Sequence, residues 1–92
     1  MKKTAVQMNS EAVRAANRRA EALCEASRRM GRLGREMAHK AEVANSRQLA
    51  DAAAIIVQQA QQLQDECDAE WAVAQRLCEV GYSLINSMAE AA

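Results

Sequence analysis

Apolar residues recur every three or four positions along a first segment of the chain, residues 4–44. This spacing can be written as a heptad with mostly small residues at position a and larger ones at position d through the middle. The a positions are Val6, Val13, Ala20, Ser27, Gly34 and Ala41, and the d positions are Asn9, Ala16, Leu23, Met30, Met37 and Ala44. The pattern predicts one long amphipathic helix.

A second segment, residues 49–88, follows the same rule more regularly. Its d positions are Leu49, Ile56, Leu63, Glu70, Leu77 and Leu84, and its a positions are Ala53, Ala60, Cys67, Ala74, Gly81 and Met88. Ala44 and Leu49 both occupy d although they are not a heptad apart, so the two stripes cannot form one uninterrupted seam. The chain is therefore expected to turn near Asn45, which tolerates the left-handed conformation and also begins a capping-box pattern with Gln48.

These signals predict an all-α fold in which residues 1–92 form a single helical domain. Its two arms, about 5–44 and 47–89, are expected to form a long antiparallel hairpin. Thr4 followed three residues later by Gln7 fits a capping box at the start of the first arm. Composition agrees, since alanine is the commonest residue and proline is absent, so little in the chain resists helix formation.

A hairpin that turns at Asn45 opposes residues whose numbers sum to about 90, because an antiparallel pair keeps that sum constant. The predicted pairs are Ala41 with Leu49, Met37 with Ala53, Gly34 with Ile56, Met30 with Ala60, Ser27 with Leu63, and Leu23 with Cys67. A small residue meets a large one in each of these layers. Layer volume then stays nearly constant, as dense interior packing requires.

A single hairpin is expected to leave too much apolar surface uncovered. In the second arm, apolar residues also occupy the e and g positions: Val57, Trp71, Val73, Cys78, Val80 and Ile85. This stripe is wider than a two-helix seam, so we expect the hairpin to form a homodimeric four-helix bundle. The layer pattern and hairpin form resemble those of the Rop family, small helical hairpins that dimerise into four-helix bundles.

A three-helix bundle is the alternative architecture, with a break at Gly31-Gly34. Glycine in a helix interior costs about 1 kcal/mol relative to alanine, which favours a loop at this point. The heptad nevertheless keeps its phase through both glycines, and the a position of Gly34 suits close helix approach. The hairpin is therefore preferred.

Charge is distributed unevenly although the net charge is zero. Residues 1–47 carry eleven Lys/Arg against five Asp/Glu, and residues 48–92 carry one Arg against seven Asp/Glu. This asymmetry favours packing of complementary helices. The outward face of the first arm is rich in arginine, and the second arm holds the two aromatic residues. The candidate partner-binding residues are Arg14, Arg18, Arg28, Arg32, Arg35, Trp71 and Tyr82.

Catalytic chemistry is not indicated by the sequence. There is no nucleophile motif, phosphate loop or cofactor fingerprint, so we predict no catalytic, cofactor-binding or metal-binding residue. His39, the single histidine, is expected on the surface. Glu70 interrupts the large d series, and we expect it to pair with Arg19 or with an arginine of a second subunit.

Cellular location is predicted from cysteine usage and from the absence of apolar runs. Cys24, Cys67 and Cys78 are odd in number and lack CxxC spacing, so they are expected to be reduced core residues of a cytoplasmic protein. No signal peptide or membrane-spanning segment is expected.

The function predicted from these features is non-enzymatic. The chain is expected to be a small helical adaptor, chaperone or inhibitor that docks on a larger protein. The alternative is a regulator that binds nucleic acid through the arginine-rich face of the first helix.

Overall fold

Two long helices make up nearly the whole protein. The computed structural model describes residues 2–91. Helix α1 is Ala5–Ala44 and helix α2 is Arg47–Ala91. They pack against each other along their length as an antiparallel hairpin measuring 71 × 23 × 12 Å. The predicted all-α hairpin is confirmed.

The start of α1 is fixed by a reciprocal cap. The Thr4 hydroxyl accepts a hydrogen bond from the Gln7 backbone N–H at 3.1 Å, and the Gln7 side chain accepts one from the Thr4 N–H at 2.9 Å. Both exchanges satisfy backbone donors that have no partner within the helix. The capping box predicted from the sequence is confirmed.

The chain reverses at Asn45, where the turn was predicted. Asn45 has φ 52° and ψ 45°, the left-handed conformation that ends helices, and the Ser46 N–H reaches back to the Ala41 carbonyl at 2.9 Å. The predicted capping box of Asn45 with Gln48 is wrong. Ser46 begins α2 instead, accepting a hydrogen bond from the Leu49 N–H at 3.3 Å. Asn45 cannot cap α2, because an N-cap residue needs an extended backbone.

The three-helix alternative is wrong, because α1 continues without a break through both glycines. Gly34 is buried at the seam between the helices. A β carbon there would lie 2.7 Å from Cγ2 of Val57 and 3.5 Å from Cγ2 of Ile56. The missing side chain thus lets the two helices approach closely, which offsets the low helix propensity of glycine.

The seam is centred on small residues from both helices. The buried residues are Ala16, Ala20, Ser27, Gly34, Ala41, Ala53, Ala60, Cys67 and Ala74. All but Ala16 occupy position a of their heptads. The large d residues, such as Met30 and Leu63, are only half-buried.

This arrangement corrects the predicted small-on-large layers. Gly34 does meet Ile56 as predicted. Ser27 was predicted to face Leu63, but its hydroxyl donates a hydrogen bond of 2.9 Å to the carbonyl of Ala60. Each helix is rotated about its axis so that the small residues at position a face the other helix. The helix axes can then come close, and the larger side chains project to one side of the seam.

The prediction of three reduced cysteines is wrong for two of them. Cys24 and Cys67 form a disulfide that joins α1 to α2, with their Cα atoms 5.5 Å apart. Cys78 is exposed and has a free thiol. Sequence spacing hid the pair because its members lie 43 residues apart, and the hairpin alone brings them together.

The hairpin has two broad faces, which lie on opposite sides of the seam. In an antiparallel pair that meets at position a, the d and g positions of both helices lie on one side and the e and b positions lie on the other. We call the d/g side the aliphatic face and the e/b side the arginine face. The residues that line two of the surface grooves agree with this division, since Leu23 and Val73 share one groove, whereas Arg28 and Gln64 share the other.

Candidate functional site

The aliphatic face carries most of the large apolar side chains of the molecule. Its half-buried members are Leu23, Met30, Met37, Ile56, Leu63, Leu77 and Leu84, and its exposed members are Leu33, Leu49, Val73 and Val80. They follow from the heptad, which repeats d and g on one side of each helix over the whole hairpin. The charged residues Arg19, Glu66 and Glu70 also lie on this side. A largely apolar face of this length is typical of an interface.

An ion pair lies on the aliphatic face. The Arg19 guanidinium donates from Nε to Oε2 of Glu70 at 3.2 Å, and the Glu70 side chain is 28% exposed. Glu70 is the one acidic residue in the d series of α2, and Arg19 lies opposite it on α1. The predicted Arg19–Glu70 pair is confirmed, and it neutralises a charge that would otherwise interrupt the apolar surface.

Three of the predicted arginines share one groove on the arginine face. One wall of this groove is formed by Arg28, Arg32 and Arg35 of α1. The opposite wall is formed by two amide side chains of α2, and the floor is small and apolar. We call it the arginine groove, with a volume of about 630 Å³; its remaining lining residues are Glu25, Ser27, Gly31, Val57, Ala60, Gln61 and Gln64.

The arginines of this groove have no acidic partner. No carboxylate among residues 2–91 lies within 4.0 Å of Arg28, Arg32 or Arg35. Glu25, the acidic residue at the groove's edge, is instead paired with Arg29 at 2.6 Å. Three positive charges therefore stand together on one wall without an intramolecular counterion.

A second groove on the same face lies near the free ends of the helices. It brings Arg14 of α1 together with Tyr82 and Cys78 of α2, and its volume is about 380 Å³. Tyr82 is 70% exposed, so its ring is open to a partner. Of the other predicted site residues, Arg18 is exposed outside both grooves, and Trp71 is 41% exposed outside both.

Several groove residues were missed by the sequence analysis. The sequence predicts Gly31 only as a possible helix break, and Gln61 and Gln64 are not among the predicted site residues. A signal was present, because Val57 and Gln64 share position e and lie one heptad apart. Their partnership with the arginines depends on the rotation of the two helices about their axes, which the heptad does not specify.

A further ion pair joins Lys3, which precedes α1, to Glu11 in α1. Lys3 Nζ donates to Oε2 of Glu11 at 2.8 Å. This hydrogen bond lowers the pKa of the Glu11 carboxyl below its ordinary value. The pair is exposed and lies outside both grooves, so it has no part in the candidate site.

The described residues, 2–91, contain neither a cluster of metal ligands nor a membrane-spanning helix. No group of three or more His, Cys, Asp and Glu side chains in that range is arranged to hold a metal ion. Neither α1 nor α2, as far as the structure describes them, contains an 18-residue stretch apolar enough to cross a membrane. No protein family, curated protein or solved structure matches this chain.

Proposed function

We propose that this chain acts as a homodimeric, non-enzymatic interaction protein of the adaptor, chaperone or inhibitor type. Two hairpins pack their aliphatic faces together into a four-helix bundle, and the bundle docks on a larger protein through its outer surfaces. The observation that carries the proposal is the composition of the core. Among residues 2–91, every buried side chain is small, and no Leu, Ile, Val, Met, Trp or Tyr is buried.

Surface area supports a partner subunit. The hairpin exposes 7106 Å². A compact monomer of 10.1 kDa is expected to expose about 5300 Å². The excess is therefore roughly 1800 Å² per chain, whereas a standard interface buries about 800 Å² on each partner. One face of this hairpin can supply that area.

A second copy is the occupant that best fits the aliphatic face. Most homodimers have twofold symmetry, so each subunit contributes the same patch and that patch must be self-complementary. A surface of Leu, Ile, Val and Met satisfies this condition, because contacts between apolar side chains do not require opposite charges on the two subunits. The Arg19–Glu70 pair is neutralised within one hairpin, so it does not repel its symmetry mate.

Dimerisation through the aliphatic face leaves both arginine faces outward, on opposite sides of the bundle. Exposed arginines and the aromatic side chains of Trp71 and Tyr82 then remain free for a protein partner. Arginine, tryptophan and tyrosine are the residue types that most often dominate protein interfaces. The nucleic-acid alternative is less favoured, because no aromatic side chain lines the arginine groove to stack on a base.

Sedimentation equilibrium tests the dimer directly. At micromolar concentration the expected mass is twice the 10.1 kDa of the chain. The Cys78→Ser variant is examined in parallel, so that a bond through the exposed Cys78 thiol cannot account for the mass. A single species of monomer mass at all concentrations would contradict the proposal.

A further inference from the structure

We propose that the arginine groove binds an acidic, amphipathic helix of the partner protein. This inference rests on the proposed docking function and names the chemistry of the docked segment. Carboxylates of the partner pair with Arg28, Arg32 and Arg35, and one apolar side chain of the partner enters the floor between α1 and α2. Each homodimer therefore offers two such grooves.

Charge is the first reason for an acidic partner. Arg28, Arg32 and Arg35 are exposed and have no carboxylate within 4.0 Å among the residues that the structure describes. A guanidinium donates two parallel hydrogen bonds to a carboxylate, and such charge-assisted pairs are stronger than neutral ones. The groove thus has unused donors for several carboxylates at once.

Spacing is the reason for a helical partner. Arg28, Arg32 and Arg35 follow each other at intervals of four and three residues, so they extend about 10 Å along one side of α1. Acidic residues on one face of a helix repeat at the same intervals. A partner helix lying along the groove therefore presents carboxylates in step with the arginines.

The floor of the groove explains why the partner helix must also be apolar on one side. The floor is made by Gly31, Val57 and Ala60. Gly31 leaves it open, because a β carbon there would meet only the end of the Arg35 side chain, 3.3 Å away. An apolar side chain of the partner covers Val57, which is 48% exposed.

A nucleic acid fits the groove less well than an acidic helix does. Beside the opposite wall, Gln61 and Gln64 donate hydrogen bonds to Asp65 and Asp68, each at 3.0 Å. These carboxylates repel the continuous charge of a phosphate backbone. An amphipathic helix carries its carboxylates on one side only and can turn them towards the arginines.

Fluorescence anisotropy with a labelled synthetic helix tests the proposal on the full-length protein. The probe is a peptide with Glu on one face and Leu at one-turn intervals on the other. Wild-type protein is expected to bind it with a micromolar dissociation constant. Arg32→Glu is expected to weaken binding tenfold or more. Arg18→Glu is the matched control, since Arg18 occupies the same heptad position outside the groove, and it is expected to change binding less than threefold.

A second variant separates shape from charge. Gly31→Leu fills the floor without changing the net charge, and the extra helix propensity of leucine protects the fold. It is expected to weaken peptide binding tenfold while the melting temperature does not fall. A peptide with Ser in place of Leu is expected to bind at least tenfold more weakly than the original.

Three results would overturn the inference. These are no binding of the acidic peptide up to millimolar concentration, equal losses in Arg32→Glu and Arg18→Glu, or tighter binding of a single-stranded RNA oligonucleotide than of the peptide. The mass of each variant is measured alongside. A monomer mass with intact peptide binding would contradict the proposed dimer and support the proposed groove. A dimer mass without peptide binding would support the dimer and contradict the groove.

Discussion

Leu63→Asp is expected to convert the protein from a dimer to a monomeric hairpin. Leu63 lies near the middle of the aliphatic face and is only half-buried in the hairpin itself, so the substitution leaves the seam intact. In the dimer, the change would place two carboxylates in an apolar interface. Together they cost about 3 kcal/mol or more, a hundredfold or greater weakening of association. The mass from sedimentation equilibrium or light scattering measures the effect.

The matched control for this prediction is Gln58→Asp. It introduces the same acidic side chain on the same helix, but Gln58 occupies the outward f position and is exposed. It is expected to retain the dimer mass. If Leu63→Asp remains a dimer as tight as Gln58→Asp, the aliphatic face is not the interface.

Reduction of the Cys24–Cys67 disulfide is expected to lower the free energy of unfolding by about 4 kcal/mol. The bond closes a loop between residues 43 apart, so it removes a large part of the freedom of the unfolded chain. Urea denaturation followed by circular dichroism, with and without reductant, measures the difference. The midpoint should fall on reduction, while the reduced protein remains helical at low denaturant.

A Cys78→Ser background makes the disulfide experiment specific. Cys78 is exposed and is not part of the bond, so this variant should unfold at the same midpoint as the wild type under oxidising conditions. Cys67→Ala in the same background should match the reduced protein to within about 1 kcal/mol. An unchanged midpoint on reduction would show that the disulfide does not constrain the fold.

The helices and their turn were predictable because local signals coincide. The heptad, the Thr4 and Gln7 cap, and the change of phase near Asn45 each depend on residues close in sequence. They agree on one place for the chain to reverse, and the structure turns there. The continuity of α1 through Gly34 could also be predicted from the sequence, because that glycine occupies position a of the heptad.

The rotation of the helices about their axes was not predictable from the heptad alone. A repeat with small residues at a and large ones at d permits either alternating layers or a slender seam with a wide side face. The hairpin adopts the second, as the hydrogen bond from Ser27 to the Ala60 carbonyl shows. Close approach of the two backbones favours the seam of small residues. This seam depends on contacts between residues 33 positions apart, which a local pattern does not reveal.

The same rotation explains the mixed outcome for the candidate site. It brings three of the predicted arginines, Arg28, Arg32 and Arg35, to a common groove, but it leaves Arg18 outside. The opposite wall of Gln61 and Gln64 comes from the other helix, so no local pattern reveals it. The disulfide could not be predicted for the same reason, because a pairing between the two helices depends on their relative register and rotation.

The central claim is that one hairpin completes its apolar core only by joining a second copy. Thermal unfolding by circular dichroism, repeated over a hundredfold range of protein concentration, tests it most directly. Mass action predicts that the midpoint of a dimer rises by roughly 8 °C over that range. A midpoint that does not change with concentration, at monomer mass, would contradict the account.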